Sequence, residues 1–285
     1  MNVQPKRIGT REQLERALDA IVTQSGEVAF AATNLATGEE IGRSAERSMP
    51  TASVFKLPLL VEVFRQAENG DLDLDQRVIL RDFAPGLQPS LRDLAMMIVI
   101  VSDNSATNLL LDRVGGPTRV NTTMRELGWP SIVVHRMIVF GEITSAGSLA
   151  EAAPRDLMRL AAALAREELV SPRASREMLA ILSRQRYLEQ APRFIAYRPY
   201  ASDFAIAQSI AIFNKTGMLN GLRADTGIIA LGPELKITYS VVNDPGDDTT
   251  YRNEHPGDIT NALIGRVLVE YWLSLIHISE PTRPY

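Results

Sequence analysis

The strongest constraint on the fold is the order in which two hydrophobic periodicities follow one another along the chain. Residues 10–24 place Leu14, Leu18, Ile21 and Val22 at the spacing of one helical face. "EVAFAATNLATGEEIG" then alternates and turns at Thr37-Gly38, as a hairpin does. From about 53 to 185 the pattern is helical. One helix runs from Ser53 to Asn69-Gly70, and another opens at Ser90 with Asp93 three residues on, a capping-box spacing. "SATNLLLDRVGG" stops at Gly-Gly, "PTRVNTTMRELG" stops at Gly128, and "APRDLMRLAAALAREEL" starts with a proline suited to a first turn. Strand patterns return after about 204 in "FAIAQSIAIFNKTG", "LRADTGIIALG" and "LKITYSVVND", and "DITNALIGRVLVEYW" closes as a helix. Strands at both ends of a helical middle imply one antiparallel sheet built from the two ends, with the helical stretch inserted between them. The expected fold is therefore a two-domain α/β (α+β) protein. Residues 10–52 and 201–272 form a sheet of about five strands flanked by the terminal helices, and residues 53–200 form an all-helical domain.

Several function classes fall away on composition. Thirty Lys and Arg against 34 Asp and Glu give a net charge of −4, which offers no electrostatic footprint for nucleic acid or an acidic membrane. The absence of cysteine excludes thiolate nucleophiles and cysteine-ligated metals. His135 and His255 stand apart from each other and there is no HExxH, so neither a metal nor another cofactor is expected. Asp244, Asp247 and Asp248 read as a solvated turn. A Ser-His-Asp hydrolase would want a G-x-S-x-G elbow, which is missing.

The N-terminus "MNVQPKRIGTREQLERAL" lacks an apolar core of the secretory type, so the expectation as written is a soluble, leaderless, cytoplasmic chain, periplasmic or secreted if residues are missing upstream. At the other end, "LSLIHISEPTR" resembles the translation of a transposase adapter used in sequencing libraries. Residues 273–285 are therefore expected to lie outside the fold, which would end at Trp272.

Three short motifs carry chemistry. In "MPTASVFKLPLL", Lys56 follows Ser53 by one helical turn inside a run that reads as core. A buried amine is costly unless it is paired, and a serine hydroxyl is a weak nucleophile without a base. If burial and nearby cations lower its pKa, Lys56 meets that need. Ser102-Asp103-Asn104 has the composition of a helix cap, and Lys215-Thr216-Gly217 that of a strand end. Each is unremarkable alone. S-x-x-K, S-D-N and K-T-G together, in this order, are not an expected coincidence.

With these motifs, and with "GEEIG", "IVSDNSATNLLLDRVG", "APRDLMRL" and "GIIALGP", most of residues 10–272 resembles the class A β-lactamases and related penicillin-recognising serine hydrolases. That resemblance implies an α/β domain and an all-helical domain with the site between them, consistent with the segment order. It implies that Ser53 is acylated by the lactam carbonyl, that Lys56 takes or relays its proton, and that Ser102 protonates the departing nitrogen. Asn104 would bind a side-chain amide, Lys215 and Thr216 the substrate carboxylate, and the N–H groups of Ser53 and Met218, beside Gly217, the oxyanion. The implied partner is a small β-lactam or related amide or ester, acted on by a monomer, with antibiotic resistance as the biological setting.

The chain departs from that family at three places. The deacylating glutamate and its asparagine four residues later have no clear match in "HRMIVFGEITSAGSLAEAAPRD"; Glu142 is the nearest candidate and Glu151 the other. "RDFAPGLQPSLRDL" lacks a Gly-Ser-Gly segment. Before "GIIA" the family carries an arginine where this chain has Thr226, and Arg223, three residues earlier, is left either to reach a carboxylate or to pair with Asp225. Three functions remain open: a β-lactam hydrolase, a serine hydrolase of the same fold acting on another ester or D-amino-acid peptide, and a penicillin-sensing domain trapped as an adduct at Ser53.

Overall fold

The computed structural model describes residues 8–79, 86, 88–139, 149–195, 209–232, 235–246, 248–252 and 254–279. Helix α1 (Arg11–Val22) starts where the Thr10 hydroxyl accepts the Gln13 N–H. The hairpin β1 (Glu27–Asn34) and β2 (Glu40–Arg43) follows, turning through Gly38 at φ 75°. Strands β6 (Ile210–Met218), β7 (Arg223–Leu231) and β8 (Leu235–Asp244) complete an antiparallel sheet of order β2-β1-β8-β7-β6. The N-terminal β1 thus lies between its hairpin partner and β8, in register from Glu27↔Asp244 to Asn34↔Ile237. The expected sheet made from both ends of the chain is present.

Helix α8 (Pro256–Ser279) packs with α1 over one face of this sheet, burying Leu14, Leu18, Phe30, Ile237, Val241 and Trp272. Helix α8 continues past Trp272. Leu273 and Leu275 pack partly buried on the same cluster, because the segment that follows Trp272 continues the apolar pattern of the helix. Glu39 ties the two ends together, accepting from Trp272 Nε1 at 2.7 Å, Tyr271 OH at 3.0 Å and Arg11 Nη1 at 2.9 Å.

The other face carries the helices. Helix α2 (Lys56–Asn69) runs through their centre, burying Leu57, Leu59, Leu60, Val61, Val63 and Phe64, and ends on Gly70 at φ 79°, the left-handed stop that favours glycine. Around it lie α3 (Leu91–Ile100), α4 (Asn104–Val114), α5 (Gly116–Glu126), α6 (Pro154–Ala165) and α7 (Pro172–Leu182). The capping box expected at Ser90 and Asp93 forms. Buried Glu62 is held by Arg65, Gln66, Arg119 and Thr123, so its charge is paired rather than stranded.

The stretch from 53 to 200 is not all helical. Short strands β4 (Val133–Val134) and β5 (Ala150–Ala152) join β3 (Met49–Pro50) in a second sheet of order β3-β5-β4. Two- and three-residue strands carry too little alternation to register as a periodicity. This small sheet holds the segment that leads into Ser53, since Thr51 N–H donates to Ala150 O at 3.1 Å.

Candidate active site

Ser53 sits in a tight 3-10 turn, Ala52–Phe55, which runs directly into α2 at Lys56. The preceding Ala52 has φ 46°, a left-handed conformation unusual for a residue with a Cβ. Strain of this kind persists only where packing enforces it. Here the enforcing element is β6: a Cβ built on Gly217 would stand 2.6 Å from Thr51 O, 2.9 Å from Ala52 Cβ and 3.0 Å from Ser53 N. Only glycine lets the strand edge come this close to the serine turn.

Ser102, between α3 and α4, is also left-handed, at φ 55°. Asp103 caps α4 by accepting the Ala106 N–H at 2.7 Å, and Asn104 is the first helical residue. The S-D-N tripeptide is therefore a helix cap in structure, as its composition suggests, and the cap aims its neighbours. Lys56 Nζ donates to Ser102 O at 2.6 Å, Asn104 Oδ1 at 2.7 Å and Ser102 Oγ at 3.1 Å. Lys215 Nζ reaches the same Ser102 Oγ at 3.1 Å and also donates to Thr216 O at 2.6 Å. Two amines from distant parts of the chain thus converge on one hydroxyl. Ser53 Oγ has no hydrogen-bond partner among the described residues, so Lys56 engages Ser102 and Asn104 rather than Ser53.

Both lysines are fully buried. Burial lowers the Lys56 ammonium to about 7, against an opposing pull from Asp103. Lys215 is also pushed down by burial and by the charge of Lys56, with Asp225 opposing. An amine near 7 is a competent proton acceptor at neutral pH.

Ser53, Ser102, Asn104, Thr216 and Met218 line one cleft of about 210 Å³, and Tyr187, Leu219 and Tyr251 add to its walls. Motif reasoning placed the first five and missed the tyrosines, which lie in loops without a recognisable pattern. Ile138 and Leu149 also line this cleft. Ile138 is clamped at both backbone groups by Asn108 of α4, whose Nδ2 donates to Ile138 O at 2.8 Å and whose Oδ1 accepts the Ile138 N–H at 2.9 Å.

Glu142, the expected deacylating base, lies outside the described residues. Glu151 lies on β5 between buried Ala150 and Ala152, with its carboxylate 3.6 Å from His135 Nε2 and outside the lining of the cleft. Among the described residues, no carboxylate lines the Ser53 cleft.

Arg223 reaches a carboxylate within the chain, that of Asp258, and does not pair with Asp225. It is fully buried on the α8 side of β7, with Nε 3.3 Å from Asp258 and its Nη groups donating to Leu219 O, Leu222 O and Thr250 O at 3.0, 2.9 and 2.7 Å. Its partner is Asp258, not Asp225, and its donors are taken up by the loop around Tyr251, whose ring it faces at 5.2 Å. Thr226, at the position where the family carries arginine, donates to Ser240 Oγ at 2.8 Å. His255 is buried, with Nε2 2.8 Å from Asp248 O. Asp248 itself is held by Thr250 and Arg252.

The model of the beta-lactamase enzyme family, Beta-lactamase2, matches residues 13–272. The chain belongs to the beta-lactamase enzyme family. Beta-lactamase L2 of Stenotrophomonas maltophilia is 38% identical over 104 residues, a match spanning 33% of this chain and 34% of that protein. Among solved structures, a beta-lactamase from Sphaerobacter thermophilus DSM 20745 superposes with TM-score 0.77 at 25% identity, covering 90% of this chain and 95% of that one. PBP-A superposes with TM-score 0.75 at 21% identity, covering 93% and 97%. An ancestral class A beta-lactamase superposes with TM-score 0.76 at 22% identity, covering 90% and 99%. The five-stranded sheet with its helical insertion is the fold that these neighbours share, the ancestral class A beta-lactamase among them. Among the described residues no helix is long and apolar enough to cross a membrane.

Proposed function

We propose that this beta-lactamase family member is a serine hydrolase of the class A type that opens a β-lactam amide through an acyl-enzyme on Ser53. One observation carries the reading: Lys56 and Lys215 both reach Ser102 Oγ at 3.1 Å, in the cleft that Ser53 lines. In the proposed sequence, neutral Lys56 accepts the Ser53 hydroxyl proton, directly or through Ser102, as Oγ bonds to the carbonyl carbon. The C–N bond then breaks, the Ser102 hydroxyl protonates the nitrogen, and Ser102 recovers a proton from the neighbouring lysines. The oxyanion would lie between the N–H groups of Ser53 and Met218, which Gly217 keeps close together. Lys215 and Thr216 would take the substrate carboxylate, and Asn104 a side-chain amide.

Hydrolysis also needs an activated water. Among the described residues the cleft is lined by Ile138 and Leu149 and by no carboxylate, and Glu142 lies outside them, so a second reading stands beside the first: acylation is fast, and the adduct leaves slowly or passes to an acceptor other than water. Incubation with a chromogenic cephalosporin, followed by intact-mass measurement, separates the two. Sustained turnover supports the hydrolase, and a lasting mass increase the trapped adduct. Ser53→Ala should carry no adduct. Labelling of that variant by penicillin would refute the assignment of the nucleophile.

A further inference from the structure

Two amines on one hydroxyl pose a problem that the cleft alone does not solve. For Lys56 to act as base it must be the one without a proton; burial lowers it toward that state, but its hydrogen bonds and the charge of Asp103 pull the other way. It donates to two oxygens within 2.7 Å and feels the charge of Asp103. Lys215 has a single short acceptor besides the shared hydroxyl. On the side of Ser102 facing Lys56, nothing drives the proton toward Lys215.

The opposing charge lies behind β6. Alternation sends Lys215 and its cross-strand partner Thr226 to the helical face of the sheet, and sends Asn214, Asp225 and Tyr239 to the α8 face. Asp225 stands opposite Thr216, the residue next to Lys215, and is fully buried. Three donors converge on its carboxyl: Asn214 Nδ2 at 2.9 Å on Oδ1, and Ala191 N–H at 3.1 Å and Tyr239 OH at 3.2 Å on Oδ2. The Ala191 N–H can only donate, and Asn214 Nδ2 and Tyr239 OH donate as they are placed, an arrangement that suits a carboxylate. The charged groups around it are few. Arg223, two residues along the same strand face, is committed to Asp258, leaving Lys215, among the described residues, as the cation acting on Asp225. Burial pushes the Asp225 carboxyl up to about 7, while its three donors and Lys215 pull the other way.

We propose that Asp225 is a positioning residue for acylation: its carboxylate, acting through the sheet, holds the proton on Lys215, so that Lys56 is the member of the pair left free to deprotonate Ser53. This rests on the acylating role proposed above for Ser53 and Lys56. Lys56, Lys215 and Asp225 then titrate as one coupled set, and the active form is the single-proton state with the charge on Lys215.

The test is the pH profile of acylation for Asp225→Asn, which is nearly isosteric. Removing a negative charge makes every nearby amine easier to deprotonate, so both limbs of the profile should move to lower pH, by about one unit. The plateau should fall by about tenfold as the remaining proton shifts toward Lys56. A role confined to holding Ala191 and Tyr239 in place would lower the plateau and leave both limbs unmoved, and that result overturns the proposal. The order of the two lysines can be read as well, by NMR titration of lysine side chains labelled at Cε and Nζ in Ser53→Ala, where no chemistry intervenes. Lys215 should keep its charge to higher pH than Lys56, and the reverse order also overturns the proposal. If instead the wild-type protein forms no adduct at Ser53, the acylation reading fails, and the NMR order still decides the role of Asp225.

Discussion

Replacing Gly217 with alanine tests the close approach on which the site is built. The added methyl would lie 2.6 Å from Thr51 O, 2.9 Å from Ala52 Cβ and 3.0 Å from Ser53 N. Two of those atoms are backbone, and the third belongs to a residue already held left-handed at φ 46°, so no flexible side chain can give way. Ordinary contact begins near 3.4 Å, so β6 and the serine turn must part by about 0.8 Å. Overpacking of this size typically costs about 1–3 kcal/mol of stability. The larger effect should fall on acylation. Displacements near 1 Å are worth about 10²-fold in rate, and the loss of one oxyanion donor about 10²–10³-fold. Thermal unfolding and the second-order rate of labelling by a fluorescent penicillin would measure the two effects separately. Gly217→Ala should melt a few degrees lower and label at least about a hundredfold more slowly. A variant that labels at the wild-type rate would refute the reasoning, because the strand edge would then have no part in positioning Ser53.

Two further outcomes follow from the same geometry. Burial holds Lys56 near 7, and only the neutral amine accepts a proton, so on the acid limb of the profile acylation should fall about tenfold per pH unit below that value; stopped-flow labelling that is flat between about pH 5 and 8 would remove Lys56 from the role. Ile138→Glu would place a carboxylate on a cleft wall whose backbone Asn108 already clamps, and should shorten the lifetime of the Ser53 adduct at least about tenfold against Ile138→Gln, as read by intact mass over time. Equal lifetimes in the two variants would show that the wall does not control deacylation.

What the sequence revealed, and what it hid, follows from how local each signal is. The Ser90–Asp93 box and the glycine stop at Gly70 depend on residues within one turn, so their composition announces them. Ser53, Lys56, Ser102 and Lys215 were legible as a set because the chemistry needs those residue types in that order. Asp225 and Arg223 were not. Strand β7 is buried along its length from Arg223 to Ile229, so polarity does not mark which face each side chain takes, and register against β6 and β8 decides the partner. Ile138 reads as core because it is nearly buried, and only its shared lining with Ser53 gives it a bearing on function.

The position of β1 in the sheet also bears on how the chain must be made. Its hydrogen-bonding edge opposite β2 is filled by β8, a strand synthesised some two hundred residues later. Until the ribosome reaches that point, an apolar hairpin waits with one side unpaired, open to pairing with another nascent copy. Such long-range closure slows folding, so the yield of active protein should depend on chaperoning during synthesis more than the stability of the finished sheet would suggest.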